Sequence, residues 1–250
     1  FNELLPAAGP VRTVVMGKET TSKNQQASRV RQFMNYYITS VMEEYTPDMD
    51  QMLFYLPLAG STFKKTYFDE TLGRAVSKFV PAENLVVPYE TSDLETCPNI
   101  TQVVRMSLND LRKRQIAGTY LDVEVIPAQK EMSDLDGEMD RIEGMEPNQI
   151  DYDCTILECH VDLDLEGYEE VDDEGEPTGI KVPYVVTLSE DNGQVLSIRR
   201  NFQEDDELKR KIQYFTHFKF LPGFGFYGLG LIHTIGGLSR TATAALRQLI

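Results

Sequence analysis

The sequence predicts an α+β fold, in which helices and antiparallel β-hairpins are built from one chain. Between Arg29 and Tyr45, apolar residues recur at spacings of three and four, the period of an amphipathic helix. Between Ile156 and Leu165, apolar and polar residues alternate, the period of a strand. Asn192-Gly193 lies between two further alternating runs and favours the tight turn of a β-hairpin. With 41% hydrophobic residues among 250, the chain has enough apolar material for a core.

A second helix is predicted directly after the first. Thr46 is a good N-cap, Pro47 suits the first helical turn, and Asp48 favours the positive end of the helix dipole. The helix is expected to end near Leu56, because Pro57 disfavours helical geometry in the residue before it.

Strands and a short helix complete the first half. Ser61 to Phe68 and Arg74 to Val80 are predicted as a hairpin around a polar turn, and Ile100 to Met106 as a further strand. Ser107 to Asp110 resembles a capping box, so a helix is expected to begin there and to end at Gly118.

The second half is predicted to be rich in strands. Tyr184 to Leu188 is expected to pair with Val195 to Arg199 around the Asn-Gly turn, and Ile212 to Phe220 is a further strand. A helix is expected from about Leu238. Its apolar pattern continues to Ile250, which indicates a chain that goes on in a longer polypeptide.

These elements divide the chain into four predicted segments. They are an α+β module, an acidic exposed linker or loop, a β-rich module with a glycine- and aromatic-rich turn, and the start of a packing helix. Their bounds are residues 1–126, 127–150, 151–232 and 233–250.

The net charge of -16 is concentrated in one stretch. Residues 131–176 contain 19 acidic side chains and one basic side chain, Arg141, whereas the rest of the chain contains 21 acidic and 23 basic ones. The acidic total therefore does not exclude contact between nucleic acid and the rest of the chain. No apolar run is long enough to span a membrane. Cys97, Cys154 and Cys159 are odd in number and irregularly spaced, which favours a reducing compartment.

The stretch PGFGFYGLG contains the spacing Gly223-x-Gly225-x-x-Gly228, which imitates a dinucleotide-binding turn. That fingerprint also requires an acidic residue about 20 positions later for the ribose. No Asp or Glu occurs between Leu208 and Ile250. The glycines are therefore predicted to be structural, in a compact turn where backbones approach closely.

Three acids, Asp162, Asp164 and Glu166, imitate the spacing of a calcium-binding loop. Two ligand positions depart from that pattern, and the segment alternates like a strand instead of lying between helices. We expect the three acids, with Glu158 and His160, to form one solvated face. No bound metal is predicted, and the three acids are only weak candidates for ligands.

No catalytic signature is present. Cys154 and Cys159, five residues apart on a strand, point to opposite faces and do not form a zinc site with His160. The chain has no P-loop, no serine nucleophile elbow and no zinc-protease motif. The sequence therefore predicts a protein without a cofactor and without enzymatic activity.

Two basic clusters are candidates for contact with DNA or other phosphates. They are formed by Arg199, Arg200, Lys209, Arg210 and Lys211. Transient phosphate contact needs only a few exposed cations and no base-reading element. Ordinary solvated cations are the alternative interpretation.

The last helix and the glycine turn carry apolar surface suited to packing between subunits. Leu238, Ala242 and Ala245 share one helical stripe, and small residues let a second helix approach closely. The candidates for subunit packing are Phe224, Phe226, Tyr227, Leu238, Ala242 and Ala245. Core packing within the chain is the alternative.

Three stretches are similar to segments of one protein family. They are GSTFKKTYFD (Gly60 to Asp69), VPAENLVVP (Val80 to Pro88) and HFKFLPGFGFYGLGLIH (His217 to His233). These stretches resemble the portal proteins of short-tailed, double-stranded DNA bacteriophages. The similar blocks follow the family order between about Gln32 and Ile250, so the resemblance covers most of the chain.

The resemblance implies a homo-oligomeric ring of about twelve subunits at one vertex of the capsid. Double-stranded DNA would pass through the central channel during packaging and ejection without sequence-specific binding. The terminase large subunit, coat or scaffolding proteins, and head-completion or tail proteins would be partners. The location would be the virion, and the host cytoplasm during assembly. This chain would form mainly the wing of such a subunit, a structural part without catalysis.

Two other functions fit the residues. A head-tail connector or tail adaptor of a virion would have a similar β-rich body. An acidic metal-dependent enzyme built on Asp162, Asp164 and Glu166 is the alternative from another class, and calorimetric titration with calcium or manganese distinguishes it from the structural functions.

Overall fold

The computed structural model describes residues 5–6, 9–69, 72–125, 137, 141, 144, 154–171 and 177–249. Helices and antiparallel sheets form a mixed α+β fold that ends in a C-terminal helix, as predicted. Most of the predicted acidic linker, residues 127–150, lies outside the described residues.

The secondary structure follows the chain in this order. The α-helices are α1 (Thr21–Tyr36), α2 (Tyr45–Ala59), α3 (Leu108–Ile116) and α4 (Leu231–Leu249), with a π-helical turn at Tyr37–Val41 and a 3-10 turn at Ala82–Asn84. The strands are β1 (Ser61–Asp69), β2 (Arg74–Pro81), β3 (Leu85–Val86), β4 (Asn99–Met106), β5 (Cys154–Leu163), β6 (Val182–Ser189), β7 (Val195–Arg200) and β8 (Phe215–Lys219).

The chain divides into two compact units. The first consists of Phe1–Ala82, Ser92–Leu94 and Gln213–Ile250, and the second of Glu83–Thr91 and Glu95–Ile212. Each unit therefore combines stretches that are far apart in the sequence.

The first unit is built on a three-stranded antiparallel sheet with the order β2-β1-β8. One sheet face carries the buried residues Phe63, Val76 and Phe215. On the other face, the Tyr55 ring of α2 meets the Phe79 ring of β2 edge-on, with 5.8 Å between ring centroids. Met52 is the fully buried residue of this helix. The sheet is thus buried on both faces.

The second unit is built on a five-stranded antiparallel sheet with the order β3-β4-β5-β6-β7. One apolar cluster joins Leu111 of α3 and Tyr120 to Ile156 of β5. A second cluster joins Tyr184 of β6 to Phe202. Helix and loop residues thereby cover apolar residues of the sheet.

Two short-range predictions are confirmed, whereas the N-cap predicted at Thr46 is wrong, because α2 already begins at Tyr45 with Glu44 as its N-cap. β6 and β7 form the hairpin around Asn192-Gly193, and Gly193 has a positive φ of 67°. At the start of α3, the Ser107 hydroxyl oxygen accepts a hydrogen bond from the Asp110 amide at 3.2 Å. The same hydroxyl donates to the Asp110 carboxylate at 3.0 Å, so Ser107 is the N-cap as predicted, with the carboxylate bound to the serine hydroxyl.

The predicted helix ends are wrong in two places. α2 does not stop near Leu56 but runs through Pro57 to Ala59, because proline removes only one bond of the last turn. The turn is closed by Gly60, whose left-handed backbone lets its amide donate to the Leu56 carbonyl at 2.8 Å. α4 begins at Leu231 rather than near Leu238, so that its two glycines lie inside the helix.

The first predicted helix is also divided differently. α1 begins at Thr21, where the Thr20 hydroxyl accepts a hydrogen bond from the Lys23 amide at 3.3 Å. The helical backbone passes into the π-turn at Tyr37–Val41, and α2 starts at Tyr45. An apolar stripe continues across such a turn, so periodicity does not reveal it.

Candidate interaction surfaces

The glycine turn after β8 is a packing device within the first unit. A Cβ atom added to Gly230 would lie 2.2 Å from the Leu58 carbonyl oxygen, and one added to Gly228 would lie 2.5 Å from the Gly60 carbonyl oxygen. Real Cβ atoms do not approach backbone this closely, so only glycine fits at these positions. The prediction that these glycines let backbones approach is confirmed. Gly225 has no neighbour within 4 Å of its Cβ position, so the tight packing does not extend to every glycine of the motif.

A buried serine and a half-buried histidine fix the turn to the sheet. The Gly228 amide donates to the Ser61 hydroxyl at 2.7 Å, and Nε2 of His217 lies 3.0 Å from the same hydroxyl. Burial, with a contribution from the nearby charge of Lys219, lowers the pKa of His217 to about 4. The imidazole is therefore neutral at pH 7. Because Ser61 is only 1% exposed, this serine-histidine pair is placed to hold the turn rather than to attack a substrate.

The three aromatic candidates for subunit packing have different environments. Phe226 is 6% exposed and stacks within its own unit on Phe63 and His217, with centroid distances of 5.9 and 4.7 Å. Tyr227 is partly exposed and meets the Phe226 ring edge-on at 4.9 Å. Phe224 is fully exposed. Phe224 and Tyr227 thus offer surface to a partner, whereas Phe226 belongs to the core.

Helix α4 presents almost its whole length to the outside. Leu238 is 71% exposed, and Ala242 and Ala245 are exposed beside it on the apolar stripe. Further apolar residues on the helix, Leu231, Ile232, Ile235 and Leu246, are exposed as well. No other described residue of the chain covers this stripe to the point of burial.

The face of α4 opposite the apolar stripe is basic, a feature that our sequence prediction missed. His233, Arg240 and Arg247 are exposed and seven residues apart. Seven residues are about 20° short of two full helical turns, so the three side chains form one row. Arg240 lies about 200° around the helix from Leu238. The seven-residue spacing was visible in the sequence, but it gains meaning only in a helix that starts at Leu231.

The five predicted phosphate-contact residues fall into two groups. Arg199 and Arg200 are exposed at the end of β7, an outer strand of the five-stranded sheet. Lys209, Arg210 and Lys211 are already engaged within the second unit. Arg210 binds Asp206 at 3.0 Å, and Nζ of Lys211 donates to the Cys97 carbonyl at 2.6 Å.

Lys209 completes this second group. Its ammonium lies 5.2 Å from the centroid of the Phe202 ring and 3.9 Å from a carboxylate oxygen of Glu170. The cluster at 209–211 therefore helps to close its own loop, and Arg199 and Arg200 are the better-placed cations for an external phosphate.

The predicted acidic face is only partly solvated. Asp164 and Glu166 are exposed and Asp162 is half-buried. His160, which we expected on the solvated face, is 3% exposed, and its Nε2 lies 2.8 Å from a Glu158 carboxylate oxygen. The expectation for His160 is wrong because His160 shares its face of β5 with Cys154 and Ile156, which are buried in the first apolar cluster.

Metal ligands and membrane segments are not found in the described part of the chain. No group of three or more His, Cys, Asp or Glu side chains there could hold a metal ion. All three cysteines are free thiols, and Cys154 donates to the Met106 carbonyl at 3.3 Å. None of the described helices combines the length and the apolar content that crossing a bilayer requires.

An open depression of about 500 Å³ lies beside α3 in the second unit. Its polar side chains are bonded to their neighbours: Arg112 pairs with Asp122, and Gln115 donates to the carbonyls of Leu121 and Val123 at 3.1 and 2.8 Å. These groups are satisfied within the protein, so the depression lacks the convergent unpaired polar groups that mark a ligand site.

Comparison with known proteins adds no assignment, since no family model and no curated protein matches the chain.

Proposed function

We propose that this chain is part of a subunit of a viral portal ring, of the kind found in short-tailed double-stranded DNA bacteriophages. The observation that carries the proposal is that α4 is an exposed amphipathic helix. It has apolar residues on one side and a row of basic residues on the other. It acts together with the three sequence stretches that resemble this family in the family's order.

An apolar stripe on an exposed helix needs a cover, because contact with water costs about 25 cal/mol for each Å² of apolar surface. Leu238, Ala242 and Ala245 supply such a stripe, and the small size of the two alanines lets a second helix approach. In a ring, each subunit presents one surface to the next copy and receives a different surface from the previous one. α4, which is about 28 Å long, would supply one of these surfaces.

The charge distribution suits a conduit that lets DNA slide. The unit that contains α4 carries 12 Lys and Arg against 9 Asp and Glu, whereas the other unit carries 12 against 31. A strongly basic channel would hold the phosphate backbone, while scattered cations in a largely acidic or neutral protein permit brief contacts. Arg199 and Arg200 are the exposed cations that we assign to such contacts.

The ring would serve as a structural platform without catalysis. Its partners would be the terminase large subunit during packaging, coat or scaffolding proteins during assembly, and head-completion or tail proteins afterwards. It would be located at the portal vertex of the virion, and in the host cytoplasm before that.

Negative-stain electron microscopy with light-scattering mass tests the proposal on the full-length protein that contains this chain. We expect rings with a central hole and a mass near about twelve subunits. Leu238→Glu should reduce ring formation, because it places a charge on the apolar stripe. Thr243→Glu, which adds the same charge at an exposed position about 140° around the helix from Leu238, is the matched control.

Two results would contradict the proposal. One is a monomer or dimer at every protein concentration, also in the presence of coat and scaffolding proteins. The other is a ring whose formation responds equally to Leu238→Glu and Thr243→Glu, since the exposed stripe would then have no special part in assembly.

A further inference from the structure

Strand β2 has three amides that point out of the sheet. The Thr66 amide donates to the Tyr214 carbonyl next to β8, so even-numbered residues of β1 bond to β8 and odd-numbered ones bond to β2. With Asp69 opposite Arg74, the alternation places the amides of Ala75, Ser77 and Phe79 on the outer side of β2. An outer strand with free amides is a template for pairing with another chain.

All three amides donate hydrogen bonds to side chains of the π-turn, of the N-cap of α2 and of α2 itself. The Tyr37 phenol oxygen accepts from the Ala75 amide at 2.9 Å. A Glu44 carboxylate oxygen accepts from Ser77 at 3.3 Å, and an Asp48 carboxylate oxygen accepts from Phe79 at 2.8 Å. The three acceptors are Tyr37, Glu44 and Asp48, which we call the edge cap.

The spacing of the edge cap matches the spacing of the strand. Glu44 and Asp48 are four residues apart, so one helical turn separates them by about 6 Å along the axis. Ser77 and Phe79 are two residues apart on the strand, about 6.8 Å. A helix that runs along the strand therefore delivers one carboxylate to each outward amide, as a row of strand carbonyls would.

One cation pairs with the edge cap, and a second lies buried near it. An Arg74 guanidinium nitrogen lies 2.7 Å from the second oxygen of Glu44. Lys64 of β1 is 4% exposed, with its ammonium 4.2 Å from the centroid of the Tyr45 ring. Burial lowers the pKa of Lys64, and the charges of Asp48 and Glu44 oppose that shift. Arg74 of β2 thus holds Glu44 in place, whereas the Lys64 ammonium makes no hydrogen bond to a described residue and contributes only through its charge.

We propose that the edge cap is an autoinhibitory contact, which takes the place of a neighbouring strand and prevents β2 from pairing with β2 of a second copy. In an ordinary helix-sheet contact, side chains pack against side chains. In the edge cap, three side chains instead accept hydrogen bonds from the three successive outward amides of β2. The inference does not depend on the proposed portal function, because it concerns the first unit alone.

Hydrogen-deuterium exchange, resolved to single amides by mass spectrometry with electron-transfer fragmentation, tests this contact. In Glu44→Ala/Asp48→Ala, Ser77 and Phe79 should exchange about tenfold to a hundredfold faster at low protein concentration, because each loses a charged acceptor. Val76 and Val80, whose amides face β1, should keep their protection. At high concentration, the protection of Ser77 and Phe79 should return as β2 pairs with another copy.

Glu43→Ala/Asp50→Ala is the matched control, since both acids are exposed and lie beside the cap residues in the same region. It removes the same charge and should leave the exchange of Ser77 and Phe79 unchanged at every concentration. The control also distinguishes β2 pairing from ring assembly. Both double variants would assemble into rings alike, whereas only Glu44→Ala/Asp48→Ala should change the exchange of Ser77 and Phe79.

Three results would overturn the inference. They are unchanged protection of Ser77 and Phe79 in the double variant, fast exchange of these amides in the parent protein, and lost protection that never returns with concentration. If the double variant unfolds as a whole, Asp48→Ala alone decides the question. It should expose Phe79 and leave Ser77 protected, and equal loss at both amides would refute the contact.

Discussion

The clearest quantitative prediction concerns Gly230, where the turn after β8 meets the end of α2. In Gly230→Ala, the new methyl group would lie 2.2 Å from the Leu58 carbonyl oxygen and 2.7 Å from the Gly60 amide nitrogen. Ordinary contact begins at 3.4 Å, so the two backbones must separate by more than 1 Å. Both neighbours are backbone atoms in the last turn of a helix, and neither can rotate away as a side chain would.

Overpacking of this kind costs about 1–3 kcal/mol, and we expect the upper end because rigid backbone must move. For a unit of this size, the melting temperature should fall by about 5–10 °C. Differential scanning calorimetry of the chain measures the change, and exchange of the β1 amides identifies the affected unit. The hydrogen bond from the Gly228 amide to Ser61 should weaken at the same time, because it lies beside the displaced segment.

Two other glycines provide matched controls. Gly225→Ala should change the stability little, since no atom lies within 4 Å of its Cβ position. Gly237→Ala should raise the stability by about 0.5–1 kcal/mol, because the site is open and inside α4. If Gly230→Ala is as stable as Gly225→Ala, the close approach of the two backbones is not a stabilising feature and the reasoning fails.

Three further predictions concern charge. Burial alone would raise the pKa of Glu44, but its hydrogen bonds with backbone amides and an arginine outweigh burial and lower it. A carboxyl group whose pKa is lower in the folded than in the unfolded state stabilises the fold above its unfolded pKa, and this stabilisation is lost on acidification. The free energy of unfolding should therefore fall below about pH 4.5, and it should fall less in Glu44→Gln. Because the pKa of His217 is lowered to about 4, stability should decrease as the pH falls from 6.5 towards 4, and His217→Gln should remove that part of the decrease. Arg199→Ala/Arg200→Ala should reduce the salt dependence of non-specific DNA binding by a slope of about 2 per subunit, whereas Arg210→Ala, whose guanidinium is held by an aspartate, should change it less.

Each of these has a direct check. Urea denaturation as a function of pH measures the loss of stability on acidification for both groups. If the free energy of unfolding falls equally in the parent protein and in Glu44→Gln, the prediction for Glu44 is contradicted. An NMR titration that gives the His217 imidazole a pKa near its ordinary value of 6.5 would contradict the prediction for His217. Fluorescence anisotropy with a labelled duplex at several salt concentrations measures the third, and identical slopes for the three proteins would contradict it.

The sequence by itself determined the parts of the fold that depend on neighbouring residues. Ser107 and Asp110 predicted the start of α3, and Asn192-Gly193 predicted the β6-β7 hairpin. The glycines around Gly228 were correctly assigned to close packing. The cap and the hairpin turn are formed within a few residues, so their chemistry can be read directly from the local sequence. The glycines show only that some backbone approaches closely, and their partners, Leu58 and Gly60, are distant in the sequence.

The tertiary structure alone decided which elements meet. β1 pairs with β8 although their sequences are about 150 residues apart, and only this pairing defines which β2 amides point outward. His160 is buried because its face of β5 is the one covered by the apolar cluster of Leu111 and Tyr120, whereas alternation alone suggested a solvated face. α4 begins directly after Gly230, which packs against the end of α2, and this start places His233, Arg240 and Arg247 on one helix. A periodic pattern predicts that an element has an apolar and a polar face. Which neighbours cover each face depends on contacts between distant parts of the chain.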